Sequence, residues 1–167
     1  ENSMNYYNPY DQGEIQEERI IILFADAVFK AYEMDQIDFS SYDLVVVFHA
    51  GIGQDFSLPF LDPTPEDIPS TYVDNEMVLE HLGSPSIIVG NHEISHVIIL
   101  PESQNHLLFD IAETMFSDAP EPCEYQYGLT GTFALMIGFA VGLPPLWNIE
   151  TGESGVGVFG LMDQGSN

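Results

Sequence analysis

"ALMIGFAVGLPPLW" (134–147) decides how the second half of this chain is read. It starts as an apolar run of helix formers and stops at Gly142-Leu143-Pro144-Pro145. Glycine just past the last helical residue, with proline close behind, marks a helix C-terminus. Thr130 or Thr132 supplies the N-cap. The expectation is a buried helix over about 130–142, on which Leu135 and Phe139 share a face. Burying those two side chains contributes roughly 1.5–3 kcal/mol each.

Upstream, helix and strand patterns alternate, which points to an α/β class with a mixed twisted sheet packed on helices. Residues 1–14 are polar and read as an N-terminal arm or linker, and 15–167 as a single domain. "EIQEERIIILFADAVFKAYEM" (14–34) places Ile20, Phe24, Val28 and Ala31 on one helical face. "YDLVVVFHA" (42–50) is a β-branched run and reads as a buried strand. "NEMVLEHLG" (75–83) is a short helix closed by Gly83. "SIIVG" (86–90) and "ISHVIILPE" (94–102) read as two strands joined by a hairpin turn near Gly90-Asn91. Residues 106–116 read as a helix, 117–128 as a loop, and the Gly-rich tail as irregular.

Charge narrows the partners. There are 27 Asp and Glu against two basic residues, Arg19 and Lys30, for a net charge of −25. Such a surface repels phosphate backbones and anionic headgroups, which excludes nucleic acid as a partner. The longest apolar run, 133–146, is too short and too rich in Gly and Pro to insert into a membrane. So large a charge opposes compaction unless salt or divalent cations screen it. Cys123, the only cysteine, permits neither an internal disulfide nor a thiolate zinc cage. The chain opens on Glu1 with no visible signal peptide, so it reads as processed or excerpted.

"HEISH" (92–96) matches the H-E-x-x-H pattern of zinc peptidases letter for letter. The chemistry needs a helix, where residues four apart point both imidazoles at one ion and the Glu polarises its water. Here the motif follows a Gly-Asn turn and runs into Val97-Ile98-Ile99-Leu100, a strand-like sequence. In a strand, residues four apart are separated by about 13 Å at ~3.3 Å per residue, against zinc bonds near ~2.1 Å. The favoured reading is therefore a strand, with zinc held by His92, Glu93 and His96 as the alternative. A second metal reading concerns the Pro-rich loop 57–74, where Asp62, Glu66, Asp67 and Asp74 offer oxygen ligands to calcium without matching a known calcium loop. His49, at the end of its strand, reads as a hydrogen-bonded structural histidine. No G-x-S-x-G elbow or phosphate-cradling glycine motif is present.

The segments "LMIGFAVGLPPLWN" and "GVGVFGLMDQGSN", with "DFSSYDLVVVFHAGIGQDF" upstream, resemble the immune-inhibitor-A-type family of secreted, metzincin-like metalloproteases. That family's active helix reads like "HEFGHxLGLPDLYD", and a later "GxGxWSLMxxGxW" carries its Met-turn. The likeness spans about residues 20–167, with its specific motifs in the last 35. It implies a metzincin-like fold, with Gly142, Pro144 and Met162 as retained scaffold. The departures fall on the metal positions: Leu135 and Phe139 stand where the two histidines would be, Met136 where the glutamate would be, and Pro145 near the third ligand. None of Leu135, Phe139 and Pro145 offers zinc a lone pair, and a thioether takes up no proton near neutral pH.

The resemblance thus implies a catalytically inactive peptidase-like domain, extracellular or on the cell surface, with a structural, assembly or binding role. Its partners would be other protein domains or protomers of an extracellular assembly. No cofactor is expected; calcium belongs to the assembly-module alternative and zinc to the active-peptidase alternative.

Overall fold

A computed structural model describes residues 2–9, 12–54, 66–103 and 128–166. In chain order the described elements are α1 (Met4–Tyr7), α2 (Gln16–Asp35), β1 (Val45–Ile52), β2 (Thr71–Val73), α3 (Asn75–Leu82), β3 (Ile87–Val89), β4 (His92–Ile94), β5 (Val97–Ser103) and α4 (Thr130–Ala140). The protein is a mixed α/β structure.

β5 is the centre of a three-stranded sheet, parallel to β1 on one side and antiparallel to β2 on the other. Val97 to Pro101 are all buried, as expected of a strand covered on both faces. Its alternation sorts two cores. Val97 and Ile99 pack with Ile20, Ile21, Phe24 and Val28 of α2, while Ile98 and Leu100 pack with Met136 of α4. One helix therefore covers each face. Pro101, opposite His49, has no N–H for the ladder, and the β1 register shifts between His49 and Ile52 at the same level.

α2 forms where the sequence predicts it. Glu17 and Glu18 sit in its first turn, where the helix dipole favours them. The N-terminal residues dock on it: the Tyr7 hydroxyl donates to Asp26 at 2.8 Å, and the Asn8 side chain donates to the Asp67 carbonyl at 2.7 Å. α3 begins at Asp74, whose Oδ1 accepts the N–H groups of Glu76 and Met77 at 2.9 Å each, and closes on Gly83 at φ 70°.

Three expectations are corrected. The hairpin partner of Ile87–Val89 is His92–Ile94, turning at Gly90, and not the strand 94–102. The chain leaves that hairpin at Ser95-His96 and enters the main sheet as β5. A hairpin fixes only local pairing, whereas the apolar run from Val97 is long enough to sit centrally beside β1. Second, the Pro-rich stretch ends in a strand: Thr71–Val73 pairs with Val97–Ile99. Third, neither Thr130 nor Thr132 caps α4. Leu129 holds the N-cap position, with no side-chain cap bond. The expected helix 106–116 and loop 117–128, and Asp62, lie outside the described residues.

Candidate functional site

α4 ends as its sequence dictates. Gly142 takes φ +85°, its N–H reaching Phe139 O at 2.9 Å, while Leu143 N–H reaches Gly138 O at 2.9 Å. The chain then turns back through Trp147 and Ser154, which form an antiparallel bridge. Leu146 N–H bonds Met162 O at 2.8 Å. The tail approaches α4 closely at two glycines. A Cβ on Gly131 would strike the Ser166 carbonyl, and one on Gly138 would strike the Met162 sulfur. Met162 is only 6% exposed.

Between those two contacts the packing opens. Thr132, Leu135 and Met136 of α4 face Trp147, Asp163, Gln164 and Ser166 across a cavity of about 310 Å³. Leu135 and Phe139 were expected to be buried on this helix. Instead Met136 (8% exposed) goes into the core against Ile98 and Leu100, and Leu135 is only half-buried and leaves room beside it. Phe139, also half-buried, stacks on Tyr72 at 6.2 Å and meets Trp147 edge-on at 5.9 Å. Burial, and then the nearby Asp74, push the Tyr72 hydroxyl above its ordinary pKa.

Asp163 organises the tail. Its Oδ2 accepts the Ser154 hydroxyl at 2.9 Å and the N–H groups of Gly155 (2.9 Å), Val156 (2.7 Å) and Gly157 (3.0 Å). Its Oδ1 accepts Gln164 N–H at 2.9 Å. Successive N–H groups aimed at one point form an anion-holding concavity, filled here by the protein's own carboxylate. The Val156 N–H first, then Ser154, Gly157 and Gln164, hold the Asp163 carboxyl below the usual carboxylate range. Nothing in the sequence spacing singled out this residue.

The other candidates are scattered. His92 and Glu93 lie in β4, in extended backbone as the strand reading expects, and His92 Nε2 sits 3.4 Å from Asp38 Oδ1. The Ser40 hydroxyl and N–H, and then His92, hold Asp38 below its ordinary pKa. His96 lies beyond the strand, with Nδ1 3.1 Å from Ser95 Oγ. Asp74 is engaged as the α3 cap, and Glu66 accepts from Asn5 at 3.5 Å. Asp67 is buried. Among the described residues, no three His, Cys, Asp or Glu side chains are grouped to hold a metal ion. His49 is buried with Nδ1 3.0 Å from Ala50 O and Nε2 3.1 Å from Ile68 O, ring contacts that tie β1 to the chain before β2. Among the described residues, no helix is long and apolar enough to cross a membrane.

Compared with protein-family models, curated proteins and solved structures, the chain matches none.

Proposed function

We propose that this is a metzincin-like peptidase domain that does not hydrolyse peptides, and that it serves a structural or binding role in an extracellular or cell-surface protein. One observation carries the reading. Along α4, the positions that resemble a zinc-protease metal site hold Leu135, Met136 and Phe139, and Met162 of the Met-turn-like segment lies directly against Gly138. The three α4 side chains supply neither the nitrogen and oxygen ligands that zinc takes nor a group that moves a proton, which supports the reading. Protein contacts are the natural use of such a surface. Val141 (69% exposed), Val158 and Phe159 (96%) display large apolar side chains around the helix end and tail.

Incubating the full chain with unfolded casein, with and without added zinc, tests this. No cleavage above a buffer control is expected. Zinc-dependent cleavage that disappears in His96→Ala would overturn the reading and assign catalysis to residues 92–96.

A further inference from the structure

We propose that the cavity between α4 and the tail is a receptor for one Lys or Arg side chain of a basic protein partner. The proposal deepens the binding role above and rests on it. Its volume, about 310 Å³, falls at the lower end for ligand sites, which suits a single long side chain.

The lining divides as such a side chain divides. Leu135 and Met136 offer hydrocarbon to a methylene stem, which Lys and Arg lay along apolar surface while keeping the charged head in polar surroundings. Trp147 and Asp163 serve the head. An indole face attracts ammonium and guanidinium groups more strongly than other aromatic rings do. Asp163 is 5% exposed, and its hydrogen bonds keep it ionised, which places a negative charge in the cavity wall. Four of its bonds fall on Oδ2, whereas Oδ1, among the described residues, takes Gln164 N–H and keeps acceptor capacity.

The opposite charge finds no welcome. The chain's two basic side chains, Arg19 and Lys30, both lie on α2, and Arg19 already covers the Tyr6 ring at 4.2 Å. The cavity wall is built from α4 and the tail, so an anionic ligand would meet Asp163 with no cation beside it. A net charge of −25 also raises the local concentration of cationic partners and speeds their encounter.

Trp147 is the only tryptophan, so its fluorescence reports on this cavity alone. The probes are three capped tripeptides with central Arg, Lys or citrulline, the last matching Arg in shape without its charge. Saturable 1:1 binding of the Arg and Lys peptides is expected, with citrulline weaker by about tenfold or more. Free guanidinium and methylammonium chloride form a separate arm; weaker binding by these ions than by the peptides shows that the stem is used. Calorimetry on Trp147→Leu should show a loss of about tenfold. Leu135→Phe, which adds bulk to the cavity and leaves the Asp163 carboxylate in place, should abolish binding while the melting temperature holds or rises. Equal binding of citrulline and arginine peptides overturns the proposal. So does wild-type affinity in both variants, which assigns binding to the general acidic surface. Absence of cation binding with casein left intact overturns this inference alone.

Discussion

Gly138 and Met162 are in direct contact: the hydrogen of the glycine is all that fits between the α4 backbone and the methionine sulfur. Two turns earlier, Gly131 makes the same close approach to Ser166. The tail is therefore clasped to the helix at two points, and the cavity beside Leu135 is the space the clasp leaves between them.

Gly138→Ala sets two effects against each other. Alanine gains about 1 kcal/mol in helix propensity, but its methyl group collides with a buried sulfur, and overpacking of this kind costs roughly 1–3 kcal/mol. Because Met162 is held by Leu146 N–H through its own carbonyl, its retreat is restricted. Net destabilisation is expected in urea unfolding. In the double variant with Met162→Ala, the losses should sum to less than the two singles, with a coupling of roughly 0.5–3 kcal/mol. Strict additivity would show that the contact carries no strain.

Acid should loosen the tail before the core. The folded Asp163 carboxyl titrates below its unfolded value of ~3.9. Its contribution is therefore complete above that value and is lost as pH falls through the folded one. Trp147 fluorescence should change below about pH 4. In Asp163→Asn that step should be absent, with the tail loosened at neutral pH. An identical acid transition in both proteins would remove Asp163 from this role.

Asp74 distinguishes a helix cap from a calcium ligand. Its Oδ1 takes two N–H groups at the start of α3, so Asp74→Ala should cost about 1 kcal/mol. The loss should be the same with and without millimolar calcium. A melting temperature raised by calcium, but not by sodium chloride of equal ionic strength, would favour the calcium-stabilised module.

Salt acts on the whole molecule. With 27 acidic side chains against two basic ones, screening should raise the melting temperature between about 0.01 and 0.15 M salt, as the Debye length falls from ~30 to ~8 Å. A flat response would mean that the charges are already neutralised by bound ions.

What the sequence made legible was local. The period of α2, the glycine stops at Gly83 and Gly142, and the turn at Gly90 each have a cause within a few residues. Thr71–Val73 has three residues, too few to show a strand period, and becomes a strand because β5 lies beside it. The parallel pairing of Val45–His49 with Val97–Pro101 joins segments about fifty residues apart, and no local pattern encodes it. The candidate site divides the same way. Leu135, Met136 and Phe139 were singled out by their place in a motif, and of these Leu135 and Met136 line the cavity. The cavity, Trp147 as its wall and the hydrogen bonds of Asp163 depend on the tail folding back, and were not.

Zinc stoichiometry decides most directly whether this chain holds a catalytic ion. The full chain, loaded with zinc and dialysed against metal-free buffer, is analysed by mass spectrometry for metal bound per chain. No retained zinc is expected, because Leu135, Met136 and Phe139 of α4 supply no nitrogen, oxygen or thiolate ligand. One zinc per chain, held through dialysis and lost in His92→Ala or His96→Ala, would contradict it.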